Sequence, residues 1–302
     1  MQIRGSFPHS GAGRILSLQK KIQKSFERKQ SRMDQNRMPL VEALQQFREE
    51  APAYFRIPGH RFERGLDETL NGASLAAYDL SEAEGLDDLH HAEGVIAEAQ
   101  KLAAETWKAK KTFFLVNGTT CGNEAMVLSS VKEGEKIIVP RNVHKSVLMG
   151  LILSGATPVY VMPEYSTKWQ MWGGVTPETI EKAFAETPDA KAVLLVSPTY
   201  YGLCSDLQAI AEICHCHNAA LLVDEAHGSH LYFSEQLPLG ALESGADACA
   251  QSIHKTAGSF TQSSFLSLGS GRLDEARVAA NLQMVQSTSP SYLLMASLDA
   301  AR

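Results

Sequence analysis

The amino-acid sequence predicts an α/β fold in which a mostly parallel sheet is flanked by helices. Short, continuous apolar runs recur from residue 112 onward, and such runs are typical of strands buried on both faces. Segments with helical spacing separate these runs, and an alternation of strands and helices indicates an open α/β sheet. Polar and reactive residues follow the runs, at the sheet edge where ligands bind in this fold class.

The strands and helices are predicted in order along the chain. The apolar runs are TFFLV (112–116), KIIVP (136–140), TPVYVMP (157–163), AVLLVSP (192–198), AALLVDEAHG (219–228), ACAQ (248–251) and SSFLSL (263–268). Helices are predicted in the Ala-rich segment AEAQKLAAETW before the first run, and in NGTTCGNEAMVLSSV, RNVHKSVLMGLILSG, TPETIEKAFAETP and SDLQAIAEICHCHN between later runs.

Composition limits the possible partners. The 302 residues are 44% hydrophobic and 21% charged, with a net charge of −6, which is typical of a soluble globular protein. No basic stripe runs through the body of the chain, so we expect no nucleic-acid partner. The longest apolar runs have the length of strands, so we expect no membrane partner either.

The first 37 residues have a different composition. They contain nine Lys or Arg residues against two acidic residues, and they lack the sustained apolar stretch of a secretory signal. We expect residues 1–37 to form a disordered basic extension, or to result from a start codon assigned too early. An organelle transit peptide has a similar composition. The major domain is expected at residues 38–302.

The five cysteines predict reduced thiols. Their odd number and their apolar surroundings indicate a cytoplasmic protein without a disulfide framework. The segment ICHCHN (213–218) has metal-ligand residue types. The predicted helix would point these side chains in different directions, so we expect no metal site.

A lysine, Lys255, follows the ACAQ run, where desolvating its ammonium group is unfavourable. Its side chain can extend to solvent from the strand end. Alternatively, its amine can form a Schiff base with an aldehyde. Asp224 follows the preceding strand, and the interval between the two residues leaves room for one crossover connection. Both side chains are therefore expected to face one cleft.

Other strand ends carry further candidate ligand groups. Gly118, Thr119 and Thr120 form a strand-to-helix turn that suits a phosphate, although the same residue types cap ordinary turns. His144 follows KIIVP, and the tyrosine pair of TYYG (199–202) follows AVLLVSP. A phosphate cradle, an imidazole, an aromatic pair, a carboxylate and a lysine together match the needs of pyridoxal phosphate chemistry.

Seven motifs in sequence order resemble the major domain of the Orn/Lys/Arg decarboxylase family, a branch of the fold-type I pyridoxal phosphate enzymes. They are PGH (58–60), GLDDLH (85–90), NGTTCGNEAM (117–126), HKS (144–146), SPTYYG (197–202), DEAHG (224–228) and SIHK (252–255), which is followed by TQSSFL. The motifs span roughly residues 40 to 302. They are far more specific as an ordered set than any one of them alone.

The resemblance implies roles for individual residues. Lys255 would form a Schiff base with pyridoxal 5'-phosphate, Asp224 would pair with the pyridine nitrogen, and His144 would stack on the ring. His227 would lie beside the ring. The phosphate would be held by Thr119, Thr120, Ser252, His254 and the amide of Gly118 or its neighbours.

The resemblance also implies an activity and an assembly. The activity is decarboxylation of lysine, arginine or ornithine to a diamine or agmatine, as in polyamine biosynthesis, by a cytoplasmic homodimer or larger homo-oligomer. The stretch STSPSY (287–292) is similar to one that lies near the active site of assembled family members. Family members continue past residue 302, so we expect a C-terminal truncation that leaves the major domain incomplete and removes a C-terminal domain.

Two alternatives remain open for the function. The chain could be a truncated fragment that binds pyridoxal phosphate without turnover. It could also catalyse another fold-type I reaction, such as transamination or aldol cleavage, although the ordered motif set argues against this.

Overall fold

The computed structural model describes residues 86–302. Its α-helices are α1 (Val95–Thr106), α2 (Gly118–Ser130), α3 (Lys145–Ser154), α4 (Pro177–Glu186), α5 (Leu207–Cys216), α6 (Ile253–Thr256), α7 (Glu275–Val285) and α8 (Tyr292–Ala301). Its strands are β1 (Lys111–Leu115), β2 (Lys136–Pro140), β3 (Thr157–Val161), β4 (Tyr165–Ser166), β5 (Met171–Trp172), β6 (Ala192–Val196), β7 (Ala220–Asp224), β8 (Ala248–Gln251) and β9 (Ser264–Leu268). The basic extension (1–37), the PGH motif (58–60) and the first residue of GLDDLH lie outside the described residues.

Seven strands form one sheet in the order β1-β9-β8-β7-β6-β2-β3. Strands β8, β7, β6, β2 and β3 are parallel to one another, whereas β9 is antiparallel to both of its neighbours, β8 and β1. Because β1 and β8 are both antiparallel to β9, β1 runs in the same direction as the parallel strands. The prediction of a mostly parallel sheet flanked by helices is confirmed.

The sheet is buried on both faces. Ile137 and Val139 of β2 pack in one apolar cluster with residues of α2, α3 and α7, whereas Ile138 packs in another with residues of α4 and α5. Successive side chains of a strand point to opposite faces, so a strand covered on both sides needs apolar residues throughout. A third cluster joins α1 and α8 to Phe114 and Phe265. These three clusters explain the continuous apolar runs in the sequence.

Strand β3, the last strand in the sheet order, is more exposed than the prediction of buried strands implied. Strand β3 pairs only with β2, and its Tyr160 is 45% exposed. The chain then forms a small hairpin of β4 and β5, which the sequence analysis did not predict. Each of its strands has two residues, which is too short to produce a recognisable alternation.

Strand direction determines where a ligand site can form. The carboxyl ends of β1, β2, β6, β7 and β8 meet at one edge of the sheet, and β9 begins at that edge. The segments that leave this edge are residues 116–120, 141–144, 197–202, 225–228 and 252–255. Among the described helices, none is long and apolar enough to cross a membrane.

Candidate functional site

A cavity of about 710 Å³ opens at the carboxyl edge of the sheet. All nine residues that the sequence analysis singled out for a cofactor site line it, together with others from the same strand ends. These nine are Gly118, Thr119, Thr120, His144, Asp224, His227, Ser252, His254 and Lys255. The structure therefore brings together residues that are widely separated in the sequence.

The amino end of α2 forms one wall of the cavity. Gly118 has a positive φ of 74°, a conformation that glycine adopts without strain. The Asn117 side chain does not cap the helix, and its amide donates to the carbonyl of Val285 instead. The first backbone N–H groups of α2 therefore have no acceptor from the Asn117 side chain. N–H groups left available at a helix amino end can bind an anion.

Hydroxyl groups surround this helix end. The Thr119 Oγ1 lies 2.6 Å from the Ser252 Oγ and 3.0 Å from the Ser264 Oγ, so three strand ends are joined by hydrogen bonds. Thr119 and Ser252 are buried, whereas Thr120 is exposed. The buried His254 places its Nδ1 2.8 Å from the Ser263 carbonyl oxygen.

Asp224 ends β7 at the centre of the edge, and its carboxyl group is buried. The Asn123 Nδ2 donates to Oδ2 at 2.8 Å, and the Ala226 amide donates to Oδ1 at 3.2 Å. Burial raises the pKa of Asp224, and these two hydrogen bonds lower it in part. Within residues 86–302, no basic side chain forms a salt bridge with Asp224.

Lys255 lies on the short helix α6, directly after β8. Its Nζ is 3.1 Å from the Nε2 of His227. Burial lowers the pKa of Lys255, and the negative charge of Asp224 raises it in part. Burial, with the neighbouring Lys255 and His254, also lowers the pKa of His227 to about 4. His227 is therefore neutral at pH 7 and can accept a hydrogen bond from the lysine amine.

His144 precedes α3, and its ring caps the amino end of that helix. The Ser146 backbone N–H donates to Nδ1 at 3.2 Å, and the Ser146 Oγ lies 2.8 Å from the same atom. The Asn123 Nδ2 also donates to the Ser146 Oγ at 2.9 Å. We call the four hydrogen-bonded residues Asp224, Asn123, Ser146 and His144 the Asn123 network.

Three asparagines that were not among the predicted site residues also line the cavity: Asn117, Asn123 and Asn142. Asn123 lies four residues after Thr119 on α2, and residues with this spacing share one helix face, so the signal was present in the sequence. Asn142 follows β2, and its Nδ2 donates to the Gly173 carbonyl. Tyr200, from the predicted tyrosine pair, also lines the cavity, with its ring edge-on to His227 at 5.8 Å.

A second carboxyl group, Glu225, is buried next to the site but does not line the cavity. It accepts hydrogen bonds from the Tyr232 hydroxyl at 2.9 Å, the Ala241 amide at 2.7 Å and the Gln251 Nε2 at 2.8 Å. Burial raises the pKa of Glu225 to about 7. These bonds join the end of β7 to the end of β8 and stabilise the edge of the sheet.

Two other motifs contact each other outside this cavity. The Tyr292 hydroxyl of STSPSY donates to the Asp87 carbonyl of GLDDLH at 2.6 Å. The His90 Nε2 lies 2.9 Å from the Ser287 carbonyl. Gln286, which precedes STSPSY, accepts from the Val116 amide at 2.8 Å. The two motifs therefore pack beside the strand that leads into the cavity wall.

The ICHCHN segment forms the carboxyl end of α5 and the residues after it, as the helix prediction required. Cys214 is buried, His215 lies 3.1 Å from the Asp247 carboxylate, and His217 stacks on Phe184. In the described part of the chain, no group of three His, Cys, Asp or Glu residues could hold a metal ion. All five cysteines are free thiols.

Lys255, Asp224 and the uncapped amino end of α2 line one cavity, and they would fit the aldehyde, the ring nitrogen and the phosphate of pyridoxal phosphate. Asn123 Oδ1 and Asn142 Oδ1, both on cavity-lining residues, are buried without a hydrogen-bond partner. Neither Lys255 nor Asp224 forms a salt bridge within the described residues. Buried polar and charged groups normally have partners, so this cavity has the features of a site shaped for a polar ligand.

Known proteins that are similar to this chain include several named amino-acid decarboxylases. The family model for the Orn/Lys/Arg decarboxylase major domain matches residues 38–302. The arginine decarboxylase of Halalkalibacterium halodurans is 46% identical over 271 residues, which cover 89% of this chain and 55% of the relative. The arginine decarboxylase of Bacillus subtilis is 44% identical, with 89% of this chain and 56% of the relative covered. The chain thus spans about half the length of these relatives.

Solved structures share the fold. Lysine decarboxylase A from Pseudomonas aeruginosa superposes with a TM-score of 0.67 and 26% identity, covering 87% of this chain and 39% of that one. A Thermus thermophilus aspartate aminotransferase variant superposes with a TM-score of 0.59 and 17% identity, covering 82% and 65%. The expected fold of the fold-type I pyridoxal phosphate enzymes is therefore confirmed.

Proposed function

The chain belongs to the Orn/Lys/Arg decarboxylase family, and we propose that it binds pyridoxal 5'-phosphate and decarboxylates a basic amino acid. The main support is the convergence of Lys255, Asp224 and the amino end of α2 around one cavity. When bound, pyridoxal phosphate supplies an electron sink that stabilises the electron pair left on the substrate carbon when CO2 departs.

Lys255 is the proposed point of covalent attachment. Burial lowers the pKa of its ammonium group, which increases the share of neutral, nucleophilic amine at a given pH. Neutral His227 accepts a hydrogen bond from this amine and so orients it towards the cavity. The lysine and its orienting partner are both supplied by this chain.

The remaining cavity residues have separate proposed tasks. Asp224 would pair with the pyridine nitrogen, because it is a buried carboxylate with no protein cation bonded to it within the described residues. His144 would stack on the ring. The phosphate would be held by Thr119, Thr120, Ser252, His254 and the Gly118 backbone. The uncapped amino end of α2 supports this assignment, because helix amino ends favour anions.

Arginine is the substrate that we propose first. Four bacterial relatives named arginine decarboxylase are 43% to 46% identical to this chain. The lysine decarboxylase LdcA of Pseudomonas aeruginosa is 31% identical, and the biodegradative arginine decarboxylase of Escherichia coli is 25% identical. Decarboxylation of arginine takes up one proton and yields CO2 and agmatine. Lysine and ornithine, which would yield diamines, are the competing substrates in the same assay.

Covalent labelling tests the cofactor assignment. Purified protein is incubated with pyridoxal phosphate, reduced with borohydride and digested, and the labelled peptide is identified by mass spectrometry. We expect the label on Lys255 and its loss in Lys255→Ala. Lys145→Ala is the matched control, because Lys145 also lines the cavity. A label that persists in Lys255→Ala would refute the assignment of Lys255.

Turnover is tested separately by release of CO2 from arginine, lysine and ornithine. Release from arginine would support the full proposal. Specific labelling of Lys255 without CO2 release from any of the three would support the alternative, in which the chain binds the cofactor without turnover. The absence of labelling in folded protein would refute both.

We further propose that the chain self-associates. Helix α3, which begins directly after His144, exposes apolar side chains to solvent: Leu148 at 38%, Met149 at 47%, Ile152 at 74% and Leu153 at 59%. Exposed apolar clusters of this kind mark interaction surfaces. We expect a dimer or larger assembly in analytical ultracentrifugation, and a shift towards monomer in Ile152→Glu. An unchanged sedimentation coefficient in that variant would exclude this face.

A further inference from the structure

We propose that Asn123 is a positioning residue that fixes both the carboxylate of Asp224 and, through Ser146, the imidazole of His144. This inference rests on the proposed function, because both residues are assigned there to the cofactor ring. Asn123 is 1% exposed and lies on α2, where its amide reaches across to the end of β7 and to the first turn of α3. It therefore joins three elements that border the cavity.

The first arm of the Asn123 network ends at Asp224. The Asn123 Nδ2 donates to Oδ2 at 2.8 Å while the Ala226 amide donates to Oδ1 at 3.2 Å, so each carboxylate oxygen has one fixed donor. Each oxygen retains a lone pair for another donor. Hydrogen bonds to a carboxylate also favour its ionised form, which a protonated pyridine nitrogen requires. Asn123 thus sets both the orientation and the charge of the acid.

The second arm ends at His144. The Ser146 backbone N–H points at Nδ1, so Nδ1 is the acceptor and the ring N–H is on Nε2. The Ser146 hydroxyl accepts from Asn123 and is free to donate to Nδ1. All hydrogen bonds in this arm then run in one direction, from Asn123 through Ser146 to His144.

The amide of Asn123 supplies both arms at once. The Nδ2 group carries two hydrogens, and one goes to Asp224 while the other goes to Ser146. The reversed amide would place its oxygen against the Asp224 carboxylate, where two acceptors repel. The orientation shown leaves Oδ1 buried without a partner. An unpaired buried oxygen is unfavourable, so the two donated bonds must outweigh it.

The experiment compares the Asn123→Ala and Asn123→Leu variants of the 302-residue chain with Ser146→Ala. Both Asn123 variants lack the shared donor but differ in bulk, which separates loss of the hydrogen bond from a packing defect. Ser146→Ala breaks only the arm to His144. Protein labelled with carbon-13 in its aspartate carboxyl groups is titrated without cofactor, and Asp224→Asn identifies the Asp224 signal.

Two quantities are measured on these proteins. The acid dissociation constant of Asp224 is expected to fall at least tenfold in both Asn123 variants and to change less than threefold in Ser146→Ala. The second quantity is the ratio of Kd values for 1-deazapyridoxal phosphate, which lacks the ring nitrogen, and pyridoxal phosphate. Wild-type protein is expected to bind pyridoxal phosphate more tightly, so this ratio is above one. The ratio is expected to fall at least tenfold in the Asn123 variants.

The outcomes separate this inference from the proposed function. Wild-type protein that binds neither compound would refute the proposed function, and with it the role given to Asn123. Wild-type protein that prefers pyridoxal phosphate, with both measured quantities unchanged in the Asn123 variants, would refute the positioning role and leave the function standing. Equal effects in Ser146→Ala and the Asn123 variants would overturn the assignment of the Asp224 arm to Asn123.

Discussion

Replacing Asp224 by asparagine is expected to weaken cofactor binding without lowering the stability of the cofactor-free protein. The carboxyl group is buried, and burial raises its pKa because the charged form is poorly solvated there. Asparagine has nearly the same shape without the charge. Its carbonyl oxygen can keep one of the two hydrogen bonds, from either Ala226 or Asn123, while its amide cannot accept the other.

The magnitudes follow from these contacts. Relief of a buried charge without a bonded cation offsets the loss of one hydrogen bond, so we expect the cofactor-free variant to be as stable as wild type or about 1–2 kcal/mol more stable at pH 7. A hydrogen bond to a charged group contributes about 1.5–3 kcal/mol. Losing that bond to the pyridine nitrogen should therefore raise the Kd for pyridoxal phosphate about 10- to 150-fold.

The pH dependence of the free energy of unfolding tests whether the buried Asp224 charge destabilises the fold. Because the folded pKa of Asp224 lies above its unfolded value, folded wild type binds more protons than the unfolded chain between these two values. The contribution of Asp224 to stability therefore falls as pH rises from the unfolded pKa through the folded pKa. Asparagine does not titrate, so the free energy of unfolding of the variant relative to wild type should increase as pH rises across that interval.

The assay is urea unfolding of cofactor-free protein at several pH values, paired with a fluorescence titration of pyridoxal phosphate. Asp189→Asn is the control, because Asp189 is exposed and pairs with Lys136 at the surface. A variant that unfolds more easily than wild type at pH 7 and binds the cofactor equally well would refute this reasoning. Asp224 would then be a structural residue.

Two further predictions concern the surroundings of the site. Gly118→Ala puts a side chain on a backbone with φ of 74°, so we expect a loss of about 1–2 kcal/mol in unfolding free energy and weaker binding of inorganic phosphate. Gly271→Ala is the control, because a side chain there meets open space, and it should change neither quantity. Equal effects of the Gly118 and Gly271 variants would contradict the proposal that the amino end of α2 binds phosphate. Because the pKa of Glu225 is raised to about 7, wild type should lose up to about 3 kcal/mol of unfolding free energy as pH rises from about 4.5 through 7. The Glu225→Gln variant should lack this loss when urea unfolding is compared at pH 5 and pH 8. An identical pH dependence in that variant would contradict the burial of an ionisable Glu225.

The sequence predicted the sheet because burial on both faces requires apolar residues at successive positions, as in β6 and β7. It predicted that the candidate site residues lie near one another, because they follow strands whose carboxyl ends meet, and in the structure they line one cavity. It did not predict the exposure of β3, because strand order is decided by packing between distant segments. The apolar run TPVYVMP is the same whether its strand lies at the edge or at the centre.

Asn123 illustrates a different limit. Its spacing from Thr119 places both on one face of α2, and this much can be read from the sequence. Its contact with Asp224 joins residues 101 positions apart and depends on how α2 crosses the end of β7. A helix position can be assigned to a face by periodicity, but the partner that this face meets is a property of the folded chain.

The cavity combines several features that weaken a fold. Asp224 is buried and Lys255 is partly buried, both without salt bridges in the described part of the chain, and Gly118 gains no side-chain packing. Such features are usually removed unless a ligand compensates for them. A ligand with an aldehyde, a protonated ring nitrogen and a phosphate would complement the lysine, the carboxylate and the amino end of α2 at once. The unfavourable features of the ligand-free cavity therefore support the same proposal as its geometry.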